Sequence, residues 1–97
     1  MSDAKNKQAI KLPPQSLEAE KAVLGCMLID PDAVSRSLHL LTENSFYDIN
    51  HVYVYQAILK LFEKSAAVDN ISVTNELGKM GKLDEVGGAY FITGLSS

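Results

Sequence analysis

The sequence predicts an all-α protein, a compact bundle of five to six short helices. Two observations carry that prediction. Apolar residues recur at three- and four-residue spacing, and no segment alternates apolar and polar residues long enough to argue for a strand. The periodic stretches are also cut at short intervals by capping residues, prolines and glycines.

The first helix is expected over Leu17–Ile29. Ser16 can cap it, and Glu18 and Glu20 suit the positive end of its dipole. Apolar groups cover most of its circumference, with a polar stripe of Glu18, Lys21 and Gly25, which predicts a central, largely buried helix. Glu20 falls inside the apolar arc, so its carboxylate is expected to be tied to neighbouring backbone or to a lysine.

Asp30-Pro31-Asp32 is a stop and restart, because Asp30 can cap and proline fits the first helical position. Ala33, Val34, Leu38 and Leu41 then share a helical face. Thr42-Glu43-Asn44-Ser45 is a polar break, followed by Phe46 and Tyr47 as core plugs.

Asp48 or Asn50 opens a third helix, NHVYVYQAILKLFEKS. His51, Tyr55, Ile58 and Phe62 lie on one side and Gln56, Lys60, Glu63 and Lys64 on the other. Tyr53 points into the polar arc as an exposed aromatic. Leu24 and Phe62 are both predicted core positions. Asp69-Asn70 turns the chain, Ser72 can cap a helix carrying Val73, Leu77 and Met80, and Gly81 ends it. Leu83 and Val86 anchor a tight connection, and Gly87-Gly88 leads into a last short helix whose Tyr90, Phe91, Ile92 and Leu95 are left with little cover.

Bulk properties narrow the function classes. With 97 residues, 46% hydrophobic and 22% charged, the chain fits one soluble globular domain. A single cysteine, Cys26, rules out an internal disulfide and suits a reducing cytosol. No apolar run approaches the roughly 20 residues of a membrane span, and the N-terminus lacks the apolar stretch of a signal peptide. Charge divides unevenly: residues 1–11 carry net +2 and the remainder net −5, giving −3 in all. The basic tail is expected to be disordered. An acidic body is poorly suited to gripping nucleic acid, whose affinity rests on clustered Lys and Arg.

GKMGKLDEVGGAYFITG invites a nucleotide reading, and its spacing excludes one. A phosphate loop needs G-x-x-x-x-G-K followed by Ser or Thr. Met80 follows Lys79, Leu83 follows Lys82, and no glycine lies five residues before Gly78 or Gly81. These glycines are expected to end helices. His39 and His51 are expected to be structural, Cys26 to be a buried inert thiol, and no serine has a nucleophile-elbow context. The residues therefore point to an interaction module without a visible active site.

PPQSLEAEKAVLGCMLIDPDAV resembles the opening of the bacterial replicative DNA helicase, the DnaB family. That family has two prolines, a Leu-Glu-Ala-Glu helix start, an Ala-Val-Leu-Gly step and an Asp-Pro break. FYDINHVYVYQAILKLFEKS and VDNISVTNELGKMGKLDEVGGAYFITGL resemble the segments that follow in the same order, so the resemblance runs from Leu12 to Ser97. Gly25 matches a family glycine that admits close packing, and Gly87-Gly88 the family pair. Asn70 departs from an often apolar position.

The resemblance implies residues 12–97 as the helical N-terminal collar of a replicative helicase. The RecA-like motor, with its ATP and magnesium, lies in a part of the parent absent from this chain, so no cofactor is expected here. It implies self-association in pairs within a hexameric ring and docking of primase and of a helicase loader. DNA would pass through the parent ring without a tight grip by this domain, in a bacterial cytoplasmic, nucleoid-associated replisome with no membrane contact. In the family a helical hairpin beyond this chain's end helps to pair these domains, so a monomer or weak dimer is expected. The sequence places the partner patch at Tyr53, Gln56, Lys60 and Lys64. A stand-alone helical nucleic-acid-binding or adaptor module is the alternative.

Overall fold

The computed structural model describes residues 16–97, so the basic tail and the Pro13-Pro14 pair lie outside the described residues. Among the described residues there are six α-helices, one 3₁₀ turn and no strand: α1 Leu17–Ile29, α2 Pro31–Leu40, the 3₁₀ turn Glu43–Ser45, α3 Ile49–Glu63, α4 Asn70–Lys79, α5 Leu83–Val86 and α6 Gly88–Leu95.

Side-chain caps fix four of the helix starts. Ser16 Oγ accepts from the Ala19 N–H at 3.0 Å, and Asp30 from the Asp32 N–H at 2.9 Å, with Pro31 as first residue of α2. Asp48 caps α3 by accepting from the Asn50 N–H. At α4 the cap is Asp69, and Ser72 is its reciprocal partner: Asp69 accepts from the Ser72 N–H at 2.8 Å, and the Asp69 N–H donates to Ser72 Oγ at 2.9 Å. Ser72 was expected to be the cap itself. It sits three residues on because both residues can satisfy orphan N–H groups.

Helix ends are equally local. Gly81 ends α4 with φ +73°, and the Lys82 N–H reaches back to the Leu77 carbonyl at 2.9 Å. Ser65 does the same for α3 with φ +58°, its neighbour Ala66 donating to Leu61. Gly87 and Gly88, at φ +107° and +77°, turn the chain between α5 and α6. Gly78, by contrast, lies within the last turn of α4.

The core is one cluster centred on α3. Its Val54, Tyr55, Ala57, Ile58 and Leu61 pack with Leu24, Met27 and Leu28 of α1, Val34 of α2, Phe46, Val73 and Leu77 of α4, Val86, and Ile92 and Leu95 of α6. Helix α6 closes the bundle against α1, where Gly25 is required: a Cβ there would fall on the Leu95 carbonyl oxygen.

Burial departs from expectation at several positions. Helix α1 buries one stripe, Glu20, Leu24, Met27 and Leu28 with Gly25, while Ala19, Ala22, Cys26 and Ile29 face outward. Cys26 is therefore an exposed thiol rather than a buried one. Of the two plugs, Phe46 is buried against Tyr55 with ring centroids 5.2 Å apart, whereas Tyr47 is 69% exposed. Adjacent residues in extended backbone point to opposite sides, and only one can turn inward. Phe62 is 45% exposed, because the facing loop is built of Ser65, Ala66 and Ala67, too small to cover a ring. Ile92 and Leu95 are buried on α1 and α4, so among the last-helix residues it is Tyr90, 91% exposed, that lacks cover. His39 is exposed at the end of α2.

Candidate partner-binding surface

Tyr53, Gln56, Lys60 and Lys64 follow one another at three- and four-residue spacing on α3, so they share a side of the helix. The structure holds three of the four in place. Tyr53 is half-buried against the core, not an exposed aromatic, and Lys82 Nζ lies 4.7 Å above its ring centroid. Lys82 also donates to Glu85 at 3.2 Å, and that bond, with the Glu85 charge, raises the lysine's pKa. Gln56 Nε2 donates to Glu43 Oε1 at 3.1 Å, bracing α3 against the 3₁₀ turn. Lys64 Nζ donates to Glu76 Oε1 at 3.0 Å, supplying a partner to a carboxylate buried on α4. Lys60 is exposed.

The result is a fixed mosaic of charge and ring. The Tyr53 ring lies face-up beneath Lys82, Glu85 sets an acid beside that cation, and Glu43 lies on Gln56. Sequence reading missed Lys82, Glu85 and Glu43 as members of this surface. The Lys82–Glu85 spacing of three was visible, but nothing local indicates that α5 returns across α3.

Behind this surface lies a buried polar knot. Glu20 Oε1 and His51 Nδ1 are 2.7 Å apart, with both side chains nearly inaccessible. The Tyr47 N–H donates to Glu20 Oε2 at 2.8 Å and the Asp48 N–H to Oε1 at 3.3 Å. The His51 ring stacks on Phe91 of α6 at 6.1 Å. Glu20 is tied to backbone as expected, and to a histidine rather than a lysine. Two backbone N–H groups and the His51 ring nitrogen meet its two oxygens, so the pair acts as a latch between α1 and the start of α3.

Among the described residues no cluster of His, Cys, Asp and Glu is placed to hold a metal ion, and no helix is long and apolar enough to cross a membrane. The Gly-Lys stretch is spread over α4, α5 and the turn into α6, so its glycines serve helix geometry.

Comparison with known proteins adds identity to this geometry. The family described as the DnaB-like helicase N terminal domain matches residues 12–97. The chain is 43% identical over 94 residues to the replicative DNA helicase DnaB of Rhodothermus marinus, covering 97% of this chain and 10% of that protein. It is 38% identical over 87 residues to the replicative DNA helicase DnaC of Bacillus subtilis, covering 90% and 19%. The chain thus spans a tenth to a fifth of these relatives. The crystal structure of the N-terminal domain of DnaB helicase from Mycobacterium tuberculosis superposes with a TM-score of 0.84 at 40% identity, covering 88% of this chain and 59% of that one. The chain belongs to the DnaB-like helicase N-terminal domain family.

Proposed function

We propose that this domain is the protein-contact collar of a replicative DNA helicase, pairing with copies of itself in the ring and docking primase and a helicase loader. The family match over residues 12–97 carries the reading. The net −5 of the body supports protein contact over a DNA grip, and DNA passes through the ring of the parent. Unwinding, with its ATP and magnesium, belongs to a motor outside this chain, in the bacterial cytoplasm at the nucleoid. The chain alone turns over no ATP; turnover that Lys79→Ala or Lys82→Ala abolishes would contradict this.

The α3 surface is the docking patch we assign to the C-terminal helicase-binding region of primase. A half-buried tyrosine held by a lysine is a pre-ordered contact, and tyrosines recur among interface hot spots because they offer a large rigid area with a polar tip. Titration of labelled domain with the matching primase fragment tests this. Tyr53→Ala is expected to weaken binding by about tenfold, or 1.4 kcal/mol, while the domain stays folded. Equal binding by the variant removes the patch. No binding by wild type, even in a longer chain carrying the rest of the helicase N-terminal domain, removes primase as the partner.

A further inference from the structure

A groove opens at the end of the bundle away from Ser16. Pro31 and Val34 of α2, Phe62 at the last turn of α3, and Ala66, Val68 and Asp69 of the following loop line about 580 Å³. That volume falls within the roughly 300–1,000 Å³ of ligand-binding clefts. Its floor is aliphatic, and Phe62 stands over it half-exposed. Ala66–Val68 are neither helix nor strand, and their small side chains let a second chain come close. One edge carries Asp69, whose pKa is lowered by the Ser72 N–H bond, so the rim keeps its negative charge.

The sequence itself holds a complement. Residues 5–14, KNKQAIKLPP, place Ile10 and Leu12 on either side of Lys11, with Lys5 and Lys7 before them, and end in a Pro pair that predicts extended backbone. In an extended chain Ile10 and Leu12 face one way. The segment is basic where the body is acidic. Reach decides whose segment it is. Helix α1 carries the chain about 20 Å from Ser16 to the Pro31 end, a span that Ile10 just matches, whereas Leu12, four residues before Ser16, extends at most about 14 Å from it, so the two side chains do not seat together in their own groove.

We infer that this groove receives the Ile10–Leu12 segment of a neighbouring copy of the chain. Both copies carry segment and groove, so reciprocal exchange gives a closed pair.

The test uses the full 97-residue chain. Backbone amide spectra are recorded from micromolar to millimolar concentration, for wild type and for Ile10→Asp with Leu12→Asp, changes that leave the described core intact. Concentration-dependent shifts at Phe62–Asp69 are expected, with the double variant abolishing them. A synthetic peptide of residues 5–14 titrated into the double variant should restore the same shifts, and Phe62→Ala should weaken that binding by about tenfold. Absence of concentration-dependent shifts, or identical shifts in wild type and double variant, overturns the proposal. Shifts that separate the two proteins but do not vary with concentration also overturn it, because they place the segment in its own groove.

Discussion

The two ends of α3 carry residues of one helical face to opposite fates. At the N-terminal end His51 is sealed, bonded to Glu20 and stacked on Phe91. Three turns later Phe62, nearly in line with it, is half-exposed over a groove. The histidine is the more polar side chain, yet it is the buried one. Helical periodicity sets the direction of a side chain, and the opposing elements set its cover. At the first end α1, the Tyr47–Asp48 backbone and α6 converge. At the second, the small side chains of Ser65, Ala66 and Ala67 leave half of the ring uncovered beside the groove.

The sharpest way to break this comparison is at the latch. Glu20→Ala leaves the His51 ring and two backbone N–H groups without their partner in a largely closed site, so it should destabilise by about 3–5 kcal/mol, the sum of several unsatisfied polar groups at about 1–3 kcal/mol each. Denaturant unfolding measures it; a loss below about 1 kcal/mol would mean that water enters the site and satisfies those donors.

A paired substitution sharpens the contrast between cover and direction. Leu24→Ala, at a position with no exposure, should cost about 2–5 kcal/mol. Phe62→Ala should cost only about 1 kcal/mol, since half of the ring already meets water. Equal losses would put Phe62 inside the core after all.

The smallest effect is a pH dependence at the α4 cap beside the groove. The Ser72 N–H lowers the Asp69 pKa from 3.8, so the folded state favours the ionised form. That contribution is present above the unfolded value and is lost as pH falls through the lower folded one. Asp69→Asn should therefore flatten the acid limb of the stability curve below about pH 4 while changing neutral stability by about 1 kcal/mol or less. Parallel acid limbs in both proteins would show that the cap does not titrate.

Punctuation was legible in the sequence, and cover was not. Ser16, Asp30, Asp48 and Gly81 act locally, through bonds to residues a few positions away, so their identities announce their roles. Gly25 was legible through the family resemblance and through its missing Cβ. Ser65 was not, because a serine in the left-handed region looks like any loop serine. Cys26 and Tyr47 are exposed where the pattern predicts burial, and Ile92 and Leu95 are covered where it predicts little cover, for a common reason: each fate depends on an element distant in sequence. At the α3 surface the three- and four-residue spacing shows the shared side of the helix, while Lys82, Glu43 and Glu76, which hold Tyr53, Gln56 and Lys64, come from other elements.

The seat of Leu95 on Gly25 has a consequence for the order in which the fold assembles. It joins residues near opposite ends of the described chain, and closing so long a loop is entropically the most demanding step in the bundle. The α1–α2 and α3–α4 pairings are local and can form early, whereas α6 can seat only when α1 is already in place. On unfolding the sequence reverses: α6 should lift first, and its amides should exchange with solvent well before those of α3. The face of α1 that α6 covers is then the part of the molecule most readily laid open.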